Sequence, residues 1–142
     1  MTEEEIENIR KGLVEELLEV FHNENFDILA GINLRSFPLP APCHNDGYGD
    51  QEDKVPDLIA HDPATKSYIV GIVRPNKESL DSEESLTEYN VFLDQKDPDT
   101  GTPYRLYINV PASLVNDLSA LIHHYIHREY WYRVVVVTSR KY

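Results

Sequence analysis

The chain has 142 residues and a mass of 16.4 kDa, the size of one domain, able to bury roughly two-thirds of the surface its unfolded chain exposes. Hydrophobic residues make up 41% and charged ones 27%, too apolar a balance for a disordered chain. With 13 basic and 25 acidic residues the net charge is −12, which opposes unassisted binding to a phosphate backbone and makes a protein the favoured partner over a nucleic acid.

The lone cysteine, Cys43, excludes an internal disulfide and a cysteine-built zinc cage. No apolar run approaches the roughly 18–20 residues of a membrane span. The acidic start MTEEEIENIR is unlike the basic start of a signal peptide, so the expected location is cytoplasmic. The charge is uneven. From Gly101 onward five basic residues oppose two acidic ones, leaving −15 on the first hundred residues.

A first helix is predicted from Thr2 to about Phe21. Thr2 and Glu5 fit a capping box, Glu3, Glu4 and Glu5 suit the helix dipole, and Ile6, Ile9, Leu13, Leu17, Val20 and Phe21 recur at helical spacing. Asn23–Asn25 turn the chain into a predicted strand over Phe26–Leu34. Residues Ser36–Lys54, with Pro38, Pro40, Pro42, Gly47 and Gly49, read as one long surface loop. Val55–His61 and Ser67–Arg74 are two strands joined by the turn Asp62–Lys66, an antiparallel hairpin. Asp81 or Ser82 caps a helix running to about Asp94. Tyr104–Val110 is a strand, and Pro111 opens a helix whose buried stripe is Leu114, Leu118, Leu121, Ile122 and Tyr125. The β-branched run Tyr132–Thr138 reads as a last strand covered on both faces. The order is α-β-β-β-α-β-α-β, an α/β domain with a mixed sheet of about five strands flanked by helices.

The hairpin brings Asp57 and Arg74 to one end of the sheet. A carboxylate beside a buried strand needs a partner, and Arg74 is the expected one. Pro56-Asp57, followed fifteen residues later by Ile72-Val73-Arg74, resembles the motif of the PD-(D/E)XK nuclease superfamily, and the element order over most of the chain resembles its restriction-endonuclease-like fold. The resemblance implies a site in which an aspartate and a second acid hold a divalent metal, Mg or Mn, while a lysine orients or activates water. Here Ile72 stands in place of the second acid and Arg74 in place of the lysine. Neither an isoleucine nor a guanidinium can take over those tasks. A rearranged site built on Asp57 needs a carboxylate from elsewhere, with Glu16 the first choice and Glu15, Glu19, Glu84 and Glu88 the others.

The expected function is therefore a non-catalytic PD-(D/E)XK-like binding or assembly module without a cofactor, attached to nucleic-acid metabolism through a partner. The alternatives are a metal-dependent nuclease with relocated acids and an acidic inhibitor of the immunity type. Candidate binding residues are Tyr48, held between two glycines, and Arg128, Trp131 and Arg133, where aromatic and basic side chains interleave. His123 and His127 have the i, i+4 spacing of a metal pair, but as solvent-facing residues they lack a third ligand. Cys43 beside His44 is read as a bystander thiol.

Overall fold

The structure, a computed structural model, describes residues 1–142. Helix α1 spans Glu3–Asn23, and the Thr2 hydroxyl accepts the Glu5 amide as the capping motif requires. Strands β1 (Asp27–Gly31), β2 (Leu58–Asp62) and β3 (Ser67–Val73) form an antiparallel meander. After helix α2 (Glu83–Asp94, capped by Ser82) comes β4 (Arg105–Val110), parallel to β3. Helix α3 (Val115–Tyr125), entered through a 3₁₀ turn at Ala112–Leu114, leads to β5 (Val134–Thr138), parallel to β4. The five strands lie side by side in chain order, and the fold class and element order agree with the sequence.

Alternation along the central strands sorts the core into two layers. Ile69 and Val73 of β3 and Tyr107 of β4 face α1, packing on Leu13, Leu17 and Phe21. Val70 and Ile72 of β3 and Leu106, Ile108 and Val110 of β4 face α2 and α3, packing on Tyr89, Phe92, Leu118 and Ile122. Both crossover helices occupy one face because two successive crossovers of the same hand, stepping the same way along a sheet, return on the same side. Gly71 sets how near α1 can come. A Cβ there would lie 2.9 Å from Leu17 Cδ2 and 2.9 Å from Phe21 Cζ.

Several boundaries differ from expectation. β1 stops at Gly31, and Asn33 takes a left-handed φ of 60°. β2 begins at Leu58 rather than Val55, because Pro56 has no N–H to give a ladder. Tyr125 is 53% exposed and does not belong to the α3 stripe. The helix ends there and Ile126 is buried in its place. Tyr132 and Arg133 belong to a 3₁₀ turn, Arg128–Arg133. β5 is an edge strand with half-buried valines, not one covered on both faces.

The long loop is closed rather than loose. Cys43 and Lys54 pair across its base, and the buried Asn45 side chain accepts from Gly47 and Tyr48 amides and donates to Tyr48 and Glu52 carbonyls. Lys54 Nζ lies 2.6 Å from Asp50 Oδ2. No helix is long and apolar enough to cross a membrane. Since Leu17 is fully buried between α1 and the sheet, Leu17→Ala is expected to cost about 2–5 kcal/mol. Gly71→Ala should cost about 1–3 kcal/mol through overpacking. Urea titration of both variants reads these losses.

Candidate functional site

A cleft of about 410 Å³ opens between α1 and the ends of β1 and β2, lined by Glu7, Arg10, Lys11, Val14 and Glu15 of α1, by Ile32–Leu34, and by Asp57. The backbone holds Asp57 in place. Its N–H donates to the Gly71 carbonyl at 3.0 Å, and its carbonyl accepts the Ile32 N–H at 2.9 Å. Its carboxylate Oδ2 accepts the Val73 N–H at 2.9 Å. Burial pushes the Asp57 carboxyl above its usual range and Glu7 adds to the push, while the Val73 amide, Arg10 and Arg74 oppose it. A half-buried carboxyl held this way in a cleft is the strongest single candidate for a functional group in the chain.

The expected Asp57–Arg74 ion pair is not formed. Arg74, 5% exposed, turns towards α2. Its Nη2 donates to Glu88 Oε2 at 2.9 Å, its Nε to the Tyr89 hydroxyl at 3.1 Å, and its Nη1 to the Val73 carbonyl at 3.3 Å. The Tyr89 hydroxyl in turn donates to the Leu80 carbonyl at 2.8 Å. The reason is strand alternation: Arg74 continues the face of Val70 and Ile72, which is the α2 face. Burial disfavours the guanidinium charge, and Tyr89 and Glu88 outweigh that penalty, so Arg74 stays protonated.

The divalent ion implied by the nuclease resemblance requires several oxygen ligands. Ile72 is 2% exposed inside the hydrophobic layer. Glu88 is engaged by Arg74. No group of three or more histidine, cysteine, aspartate or glutamate side chains is arranged to hold a metal. The residues present do not fit that ion.

Glu16, the first choice for a relocated acid, serves elsewhere. Its carboxylate accepts from the Ser139 hydroxyl at 2.6 Å and from the amides of Arg140 at 2.9 Å and Lys141 at 3.3 Å, pinning the segment after β5 to α1. Burial raises the Glu16 carboxyl, but these bonds and the Asn109 side chain prevail and hold it below its usual range.

Of the other candidates, Tyr48 packs against the α2 layer and its hydroxyl donates to Asp94 Oδ1 at 3.3 Å, so it is not a free contact residue. Arg133 is buried rather than exposed to phosphates, because its Nη1 donates to the carbonyls of Leu93 at 2.8 Å and Tyr104 at 2.6 Å. Trp131 donates its ring N–H to the Ile126 carbonyl at 2.9 Å. Arg128 is exposed. His123 and His127 form no metal pair, since α3 ends between them. His123 contacts the Ser119 carbonyl, and His127 receives the Glu129 amide. Burial pushes the Cys43 thiol up to about 11, which keeps it unreactive.

Residue pattern missed Asn109, a polar side chain between the apolar Ile108 and Val110 of β4. It is fully buried, donates to the Leu13 carbonyl at 2.9 Å, and leaves its Oδ1 without a partner. Its isolation among apolar neighbours was the available clue. No protein-family model, curated protein or solved structure matches this chain.

Two tests follow from these contacts. Glu88→Ala should cost about 3–5 kcal/mol by stranding the buried guanidinium, and pairing it with Arg74→Met should restore most of that loss in a denaturant double-mutant cycle. The second concerns Asp57. Its folded carboxyl binds a proton more tightly than the unfolded one, so ionisation costs stability as pH rises from about 3.9 through the folded value, and the cost persists at neutral pH. Asp57→Asn keeps an acceptor for the Val73 amide. It should raise the unfolding temperature at neutral pH and lose that advantage in acid, as thermal scans across pH would report.

Proposed function

We propose that this chain is a degenerate PD-(D/E)XK-type domain that has lost catalysis and serves as a binding or assembly module for a protein partner. The observation that carries the reading is the fate of Arg74. The residue in the place of the nuclease lysine is bonded to Glu88 and Tyr89 on the α2 side and faces away from the cleft that Asp57 lines. Support also comes from the antiparallel meander followed by a parallel fourth strand, with Asp57 immediately before β2 and Arg74 immediately after β3. The side chain in the place of the second acid is a hydrocarbon packed in the core.

Binding modules need a stable frame more than a reactive site, and the buried Arg74–Glu88 pair serves the frame. The net charge of −12 favours a protein partner over a nucleic acid. Addition of Mg or Mn should leave the unfolding temperature of the wild type and of Asp57→Ala equally unmoved, and neither protein should cleave plasmid DNA. A metal-dependent rise that Asp57→Ala abolishes, together with cleavage, would instead establish a nuclease with rearranged acids.

A further inference from the structure

The sheet has two edges, and they are treated differently. β1 is bulged between Ile28 and Ala30, and the chain after it folds back so that the Gly31 amide donates to the Pro38 carbonyl at 3.0 Å. Bulging and covering are devices that keep an edge from pairing. β5 has neither. It runs in unbroken register with β4 from Val134 to Thr138, with no proline and no charged side chain among its valines. The Ser139 amide donates inward to the Val110 carbonyl. By alternation the amides of Val135 and Val137 also face β4, which leaves the N–H and C=O groups of Val134 and Val136 directed outward.

A depression flanks β5 on each face. On the α3 side Ile122, Trp131, Val134 and Val136 line an apolar groove of about 250 Å³, with His123 at its rim. On the α1 side a smaller hollow of about 160 Å³ lies beside Val137, lined by Glu16, Glu19, Asn109 and Arg140. There two carboxylates face one guanidinium, and the buried Asn109 Oδ1 still lacks a donor.

We infer that β5 is the docking edge for an extended segment of another protein, which adds a sixth strand and places an aromatic or branched apolar side chain in the α3-side groove and a lysine or arginine in the α1-side hollow. Strand addition supplies affinity through backbone bonds, and pockets on alternate faces supply selectivity. Charge complementarity chooses the basic residue. Glu19 has no partner of its own among the ion pairs, so it is free to meet a basic side chain there. This inference rests on the reading of the chain as a binding module and names where its partner sits.

The probe is a short, blocked valine–threonine peptide carrying one phenylalanine next to one lysine, so that the two emerge on opposite faces of a strand. Fluorescence anisotropy should show saturable binding to the full chain. Val136→Pro removes an outward amide without touching the inward bonds to β4, so it should weaken binding at least about tenfold. Val136→Thr keeps the amide and alters only the groove side chain, so it should weaken binding less than the proline variant does, and an unchanged circular dichroism spectrum and thermal unfolding of the proline variant exclude a folding defect. Glu19→Lys should reverse the preference towards a peptide with glutamate in place of lysine. No binding to the wild type, or binding that Val136→Pro leaves unchanged, overturns the inference. A wild-type dimer in sedimentation that Val136→Pro dissociates assigns the edge to a second copy and overturns it as well. Cleavage assays on the same samples separate the two proposals: cleavage with peptide binding removes only the non-catalytic reading, and neither cleavage nor peptide binding removes only the edge.

Discussion

A guanidinium buried at the end of a central strand must be neutralised within hydrogen-bonding reach, and much of this molecule is arranged around that requirement at Arg74. Glu88 supplies the charge and the Tyr89 hydroxyl supplies the second acceptor, so α2 is held in register against β3 by directional bonds as well as by apolar packing. Tyr89 also ties the Leu80 carbonyl to the same cluster, which anchors the segment entering α2. The pair is costly to desolvate and more costly to break. Its specificity lies in geometry, since no other carboxylate makes a bond to Arg74.

That arrangement keeps Arg74 and Ile72 out of the cleft. Asp57 remains in its lining, fixed by three bonds to backbone groups and raised in pKa by burial, while Ile72 of β3 and Arg74 just after that strand are committed to the opposite layer. The parity of a β-strand decides this. Residues 70, 72 and 74 share one face, and once Val70 and Ile72 are core residues, Arg74 is carried with them.

A second network ties the end of α1 to the sheet at the sheet's other end. Tyr107 donates to Glu24 Oε2 at 2.6 Å, Arg105 donates to the Tyr107 hydroxyl, and Arg105 also pairs with Asp62, whose carboxylate closes the hairpin turn. Phe21, Phe26 and Tyr107 meet edge to face beneath it. With that end fastened and the β1 edge bulged and covered, the β5 edge is left as the open side of the sheet.

Local signals in the amino-acid sequence determined the elements and their order: the Thr2 cap and the apolar stripe of α1, the short turn of the hairpin, the Ser82 cap of α2, and the β-branched run of β5. Each depends on spacing over a few residues, which is where propensity and periodicity act. Only the tertiary structure decided the pairings. The sequence brings Asp57 and Arg74 to one end of a hairpin, but which side of the sheet each faces depends on what covers that side. Nothing in local spacing joins Arg74 to Glu88, Glu16 to the segment after β5, or Arg133 to the carbonyls of Leu93 and Tyr104. Such contacts arise when layers pack, because a buried charge takes whichever partner the neighbouring element presents.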